Sequence, residues 1–160
     1  VVNDDNLCLL RAILIDKAYA DKEHNARRLY APSNNELNRR VEKISKALNL
    51  KDEICGIPEL IRIEQYLGDY QIMLLKEEGF LEQEPLYLNK NQRFAKFIYI
   101  SQTENHFNVI TSMRRFYNKN YYCDHCKAAY NELKKHFFNN TCPACYRLNC
   151  SQEKIIKCPL

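Results

Sequence analysis

Six of the eight cysteines lie close together near the C-terminal end of the sequence, between Cys123 and Cys158. In this segment Cys123 and Cys126 form one C-x-x-C pair, Cys142 and Cys145 form a second, and 15 residues lie between the pairs. Two thiolates at this spacing bind one zinc ion from a tight turn, and two such pairs complete a tetrahedral site. The pattern predicts a small module that is held together by structural zinc (Zn2+) rather than by a large apolar core.

The ligand set of this metal site has two interpretations. In the first, the four cysteines of the two pairs bind one zinc ion. In the second, His136 takes the place of Cys145 at that ion, and Cys145 and Cys150 belong to a second site with later cysteines. The residues predicted as metal ligands are Cys123, Cys126, His136, Cys142, Cys145 and Cys150.

Charge is distributed unevenly along the chain. Residues 113–160 carry nine Lys and Arg against three Asp and Glu, whereas the remaining residues carry 15 against 17. This charge difference, together with the aromatic and cysteine-rich composition of the later segment, predicts a domain of residues 1–115 and a zinc-binding module of residues 116–160. A basic segment is typical of nucleic-acid binding or of an acidic partner, and it equally suits a solvated surface.

The bulk composition indicates a protein with a packed core and a well-solvated surface. Apolar residues make up 46% of the chain, charged residues make up 28%, and the mean hydropathy is −0.55. The sequence has no run of 18 apolar residues, so no membrane-spanning helix is predicted. It also has no recognisable secretory signal. We therefore expect an intracellular protein, in the cytoplasm or nucleus, whose clustered cysteines bind metal rather than form disulfides.

The hydrophobic pattern of the first 112 residues predicts helices followed by a strand hairpin. Helices are predicted at residues 6–20, 33–48 and 57–67. A capping box from Ser33 to Glu36 opens the second of these helices, and Gly68 ends the third. Strands are predicted at residues 70–75, 96–101 and 106–111, with a further short strand in the segment PLYL.

Cys8 and His106 are a candidate reactive pair. Cys8 falls in the first turn of the first predicted helix, where the helix dipole stabilises a thiolate. His106 begins the last predicted strand, and Asn108, two residues later, faces the same side, where its amide can orient the imidazole. By spacing alone, a buried cysteine on an apolar helix face is the better explanation of Cys8.

The residues around Cys8 resemble the nucleophile motif of the OTU (ovarian-tumour) family of cysteine proteases. That motif has the order Asp, Gly, any residue, Cys, Leu, aromatic, Arg, Ala or Ser, aliphatic. The matching residues here are Asp5, Cys8, Leu9, Arg11, Ala12 and Ile13. Asn6 stands where the family has Gly, and Leu10 stands where it has an aromatic residue.

The second motif of the OTU family is an aliphatic strand, a short turn and then His, an aromatic residue and Asn or Asp. The segment FIYIS, followed by QTEN and by His106-Phe107-Asn108, is similar to it. The resemblance covers residues 1–112, with both motifs in the family's order. It implies an α+β, papain-like fold with a small sheet flanked by helices.

The resemblance implies a deubiquitinase that hydrolyses isopeptide or peptide bonds after the C-terminal glycine of ubiquitin or a ubiquitin-like modifier. In such an enzyme Cys8 attacks the carbonyl, His106 accepts the thiol proton and later passes it to the leaving amine, and Asn108 orients His106. Asp5 holds the loop whose backbone N–H groups, with that of Cys8, form the oxyanion hole.

The cysteine-rich segment from Cys123 to Cys145 looks like part of the protein-primed family B DNA polymerases of Polinton-type mobile elements, although Phe138 stands where a further Cys is expected. This implies that the chain, which begins at Val1, is a protease-like piece of a larger protein. Two other functions are alternatives to a deubiquitinase. One is an inactive OTU-like scaffold that carries a nucleic-acid-binding zinc module, and the other is a self-processing protease of a mobile-element polyprotein.

Overall fold

The computed structural model describes residues 7–31, 35–50, 55–77, 84–90, 96–104, 106–124 and 127–132. The chain divides into two units between Met113 and Arg114, two residues before the boundary drawn from composition. The first unit combines helices with a four-stranded sheet, and the second contains a two-stranded sheet. The predicted α+β class is therefore confirmed.

The helices of the first unit lie where the hydrophobic pattern predicts them. They are α1 (Cys8–Ala20), a 3-10 helix (Ala26–Tyr30), α2 (Asn35–Leu48) and α3 (Ile57–Leu67). α1 is buried on most of its circumference, whereas α2 buries a single stripe of residues spaced by three and four positions. None of the helices in these described segments is long and apolar enough to span a bilayer.

The ends of α3 show how local sequence sets a helix boundary. The backbone N–H of Gly56 donates to Oε2 of Glu59 at 2.8 Å, and Pro58 occupies the first turn, where no intrahelical N–H donor is needed. At the other end Gly68 has a φ of 74°, a conformation that residues with a Cβ rarely adopt. The capping residue predicted for α2, Ser33, lies outside the described residues.

The sheet of the first unit contains β1 (Tyr70–Lys76), β2 (Tyr87–Leu88), β3 (Lys96–Thr103) and β4 (His106–Val109). Their order is β2-β1-β3-β4, with β1 and β3 parallel and the outer pairs antiparallel. The predicted strands are thus confirmed within a few residues, and β4 is an edge of the described sheet.

The two faces of this sheet have different neighbours. Successive residues of a strand point to opposite faces, so the register assigns each side chain to one of them. One face packs into the same core as α1, and its members include Ile72, Leu74, Ile98, Ile100 and Phe107. The opposite face carries Met73, Tyr99, Ser101, His106 and Asn108.

The second unit begins within the short helix α4 (Met113–Phe116) and continues into a hairpin of β5 (Tyr121–Cys123) and β6 (Ala128–Tyr130). Across the hairpin the rings of Tyr121 and Tyr130 stack with centroids 5.4 Å apart, and Tyr117, which precedes β5, stacks on Tyr122 at 6.0 Å. Aromatic pairs across a two-stranded sheet stabilise its register.

Candidate active site

Cys8 is the first residue of α1 and is partly buried. Its side chain packs against the core that α1 shares with the sheet. A helix begins with several backbone N–H groups that have no partner within the helix, so this position is a natural binding site for an anion. Asp5, which is predicted to hold the oxyanion-hole loop, lies outside the described residues.

Asp16, in the middle of α1, ties the helix to the sheet. Its Oδ2 accepts a hydrogen bond from the backbone N–H of Tyr99 at 2.6 Å. The carbonyl of Tyr99 accepts from the N–H of Ile110 at 2.9 Å, immediately after β4 ends. Asp16 therefore lies where β4 stops covering β3, and its side chain supplies the acceptor that a continued β4 would have supplied.

Asp21, which follows α1, ties the other end of the helix to the sheet. Its carboxylate accepts from the hydroxyl of Tyr70 at 2.6 Å and from Nζ of Lys17 at 2.6 Å, and Lys96 donates to it as well. Tyr70 and Lys96 are the first residues of β1 and β3. The C-terminal end of α1 thus lies where these two parallel strands begin.

These two ties fix the direction of α1 along the sheet. From Asp16 back to Cys8 the helix rises about 12 Å, and from Tyr99 forward to Thr103 a strand rises about 13 Å. Since α1 runs antiparallel to β3 and packs against β3 and β4, the start of α1 lies toward the Thr103 end of β3. Thr103 is the register partner of His106. Cys8 and His106 consequently lie at the same end of the sheet.

His106 shares this end of the sheet with Cys8 but not the same face. Phe107 packs into the core with α1, so the side chain of His106 starts from the opposite face of β4. His106 is the first residue of β4, which is an edge of the described sheet. Burial lowers the pKa of His106, and the charge of Glu77 acts in the opposite direction.

Asn108 lies on the same face of β4 as His106, as the sequence predicts. Its Nδ2 donates to Oε2 of Glu77 at 3.0 Å. Glu77 follows β1 directly, and its backbone N–H donates to the carbonyl of Gln102 at 3.1 Å. The structure therefore adds Glu77, an exposed residue that sequence reasoning missed, to the group of polar side chains around His106.

The other described residues of the nucleophile motif make structural contacts. Leu9, Ala12 and Ile13 are fully buried in the core. Nη1 of Arg11 donates to Oδ1 of Asn38 at 2.6 Å, which joins α1 to α2. These residues hold the helix that carries Cys8.

Of the predicted zinc ligands, Cys123 is the one that lies within the described residues. Cys123 is buried at the end of β5 and pairs with Ala128, so the C-x-x-C pair begins where the hairpin turns. The other predicted ligands lie outside the described residues: Cys126, His136, Cys142, Cys145 and Cys150. Within the described segments, no group of three or more His, Cys, Asp or Glu side chains is arranged to hold a metal ion.

Comparison of the chain with protein-family models, with curated proteins and with solved structures found no match. The support for a function therefore comes from three features of this molecule. They are the position of Cys8 at the start of a buried helix, the direction of that helix, and the polar group of His106, Asn108 and Glu77.

Proposed function

We propose that the first unit is an OTU-type cysteine protease of papain-like architecture. Its substrates are peptide or isopeptide bonds after the C-terminal glycine of ubiquitin or a ubiquitin-like modifier. The observation that supports the proposal is the direction of α1, since its two ties to the sheet direct the start of the helix toward the end of the sheet where His106 lies. The motif residues around both side chains supply the substrate class through their resemblance to the OTU family.

In the proposed reaction, Sγ of Cys8 attacks the glycine carbonyl carbon while an imidazole nitrogen of His106 takes the thiol proton. The backbone N–H groups at the start of α1 stabilise the oxyanion of the tetrahedral intermediate. Collapse of this intermediate breaks the C–N bond, and His106 gives the proton to the leaving amine. Water then hydrolyses the Cys8 thioester with His106 as the base, which frees the glycine carboxylate and the thiol.

The surroundings of His106 suit this role. A general base must be neutral before the reaction, and burial lowers the pKa of His106, which favours the neutral imidazole. Asn108 lies on the same face of β4, two residues away, where its Oδ1 is the atom suited to accept the second ring N–H. That contact would leave the other ring nitrogen unprotonated and able to accept the thiol proton.

The second unit is proposed to hold structural zinc. Cys123 and Cys126 would form one side of the site from the turn between β5 and β6, and Cys142 with Cys145 or His136 would form the other. A buried cysteine at the end of a short strand suits this chemistry, because zinc ribbons take two thiolates from a hairpin turn. Bound zinc would cross-link the hairpin to the residues that follow it.

Two observations favour a second candidate function, nucleic-acid binding by the zinc module on an inactive scaffold. The first is that Cys8 packs into the core while His106 starts from the opposite face of the sheet. The second is the set of stacked tyrosines in a basic unit, since aromatic rings beside Lys and Arg stack on unpaired bases.

Hydrolysis of ubiquitin that carries a fluorogenic amide at its C-terminus separates the two candidates. We expect turnover by the zinc-loaded chain, loss of turnover in Cys8→Ala, and retention in Cys55→Ala, a matched removal of a buried thiol. No turnover by the folded chain, together with binding of single-stranded DNA or RNA that weakens as salt rises, would support the second candidate.

A further inference from the structure

We propose that Glu77 is a positioning residue for the imidazole of His106 and acts through the side-chain amide of Asn108. The inference rests on the proposed protease function and deepens it. Glu77 would be a fourth member of the site, supplied by the end of β1 rather than by the hairpin that carries His106 and Asn108.

The geometry of the sheet brings Glu77 to this position. Leu75 of β1 is level with Ser101 of β3, which in turn pairs with Asn108 of β4. Glu77 follows two residues after Leu75 and therefore points to the same face. From there its carboxylate reaches across β3, and Oε2 accepts from Nδ2 of Asn108 at 3.0 Å.

A carboxylate at this distance determines which end of the amide faces which neighbour. An ionised carboxylate can only accept hydrogen bonds, so Nδ2 of Asn108 must face Glu77. Oδ1 then points away from Glu77 and is the atom left to accept an N–H from a ring beside it. The carboxylate thus selects one of the two orientations that the amide would otherwise adopt.

This selection matters for catalysis because the two orientations favour different imidazole tautomers. When Oδ1 faces the ring, it holds a proton on the nearer nitrogen and leaves the farther nitrogen free to accept the Cys8 proton. When Nδ2 faces the ring, it needs the nearer nitrogen as an acceptor, which moves the ring proton to the farther nitrogen. His106 cannot act as a base for Cys8 in that second tautomer.

A simpler role for Glu77 is to fasten the end of β1 to the edge strand β4. The two roles differ in what they predict for the imidazole. A fastening role alone leaves the ring tautomer of His106 unchanged once the strand is in place. A positioning role changes the tautomer, whereas the charge of Glu77 acts to raise the pKa of His106 under either role.

The test compares Glu77→Ala and Glu77→Gln with the wild-type chain and with Glu42→Gln, which removes one exposed carboxylate from α2. Ring nitrogen chemical shifts measured by NMR across pH, assigned with His106→Gln, give the tautomer and the pKa of His106. Fluorogenic ubiquitin gives kcat and KM, and thermal unfolding gives stability.

We expect Glu77→Ala to shift the tautomer balance of His106, to lower its pKa, and to lower kcat about ten-fold with KM nearly unchanged. Glu77→Gln keeps an acceptor for Asn108 but loses the charge, so its kcat should fall less while the pKa still drops. An unchanged tautomer in Glu77→Ala would overturn the inference, even if the pKa drops, as would a loss of kcat that follows the loss of stability. A chain without protease activity would contradict the proposed function. The NMR measurement needs no turnover, so it would still show whether Glu77 orients the ring.

Discussion

The side-chain carboxylate of Asp16 accepts a hydrogen bond from the backbone N–H of Tyr99 at 2.6 Å. This bond joins the middle of α1 to the middle of β3, and with the ties of Asp21 it sets the direction in which α1 crosses the sheet. Burial raises the pKa of Asp16 to about 7, although the hydrogen bond from Tyr99 acts in the opposite direction. The residue that orients the helix is therefore sensitive to pH in the neutral range.

Asp16 should make the first unit less stable as the pH rises. Its pKa is higher in the folded chain than in the unfolded chain, so its contribution is complete below about pH 4 and is lost as the pH rises through about 7. We expect the free energy of unfolding, measured with urea, to fall between pH 5 and pH 8 by on the order of 3 kcal/mol. Asp16→Asn should remove most of this slope.

The matched control for Asp16 is Asp69→Asn, which changes an exposed carboxylate just before β1. It should keep the wild-type dependence on pH. A slope that is the same in Asp16→Asn as in the wild-type chain would contradict the assignment.

Asp21 should act in the opposite pH range. Burial raises its pKa, but hydrogen bonds from Lys17, Lys96 and Tyr70 outweigh burial and bring the value to about 2. A pKa below that of the unfolded chain gives stability that is present above about pH 4 and is lost as the pH falls through about 2. We expect Asp21→Asn to lower the free energy of unfolding at pH 7 by about 1 to 3 kcal/mol.

The effect of Asp21→Asn should shrink when unfolding is measured near pH 2. Tyr70→Phe removes one of the three donors without changing a charge, and it should cause a smaller loss that varies less with pH. Equal losses for Asp21→Asn at pH 7 and near pH 2 would show that packing, rather than the charge of Asp21, holds this end of α1.

The sequence predicted the elements of the first unit well, because each one carries its own local signal. Pro58 and Gly68 mark the ends of α3, and the short apolar runs of β1 and β3 are typical of buried strands. Part of the motif around Cys8 is also a local structural signal, since the positions of Leu9 and Ile13 would be apolar on any central helix.

Relationships between distant segments could not be predicted in this way. Which side of the sheet Cys8 and His106 occupy depends on the face that α1 covers and on the register of β3 with β4, and no local pattern encodes either. Glu77 follows an apolar strand, as many exposed carboxylates do. Only its distance to Asn108 distinguishes it.

The rate of ubiquitin hydrolysis should depend on the ionisation of His106. Burial lowers the pKa of His106 against the opposing charge of Glu77, so the acid limb of kcat/KM should have its midpoint below pH 6.5. A profile of kcat/KM against pH measures this midpoint. Glu77→Gln should move it further toward acid, and a midpoint well above pH 6.5 would be inconsistent with His106 as the base.

The second unit should contain zinc. Elemental analysis of the purified chain is expected to give at least one equivalent, and Cys123→Ser should remove one equivalent because it takes away a buried thiolate at the start of the C-x-x-C pair. The control is Cys55→Ser, which changes a buried thiol of the first unit and should leave the metal content intact. A metal content near zero in the wild-type chain would refute the zinc module.

Covalent labelling of Cys8 by ubiquitin with a vinyl electrophile at its C-terminus tests the proposed protease most directly. We expect one ubiquitin per chain, joined by a thioether that peptide mass mapping places on Cys8, and no adduct with Cys8→Ala. His106→Ala should slow the labelling by about a hundred-fold or more, while Cys55→Ala should label normally. If the folded wild-type chain forms no adduct, or if Cys8→Ala is labelled as fast as the wild-type chain, Cys8 is not the nucleophile of a deubiquitinase.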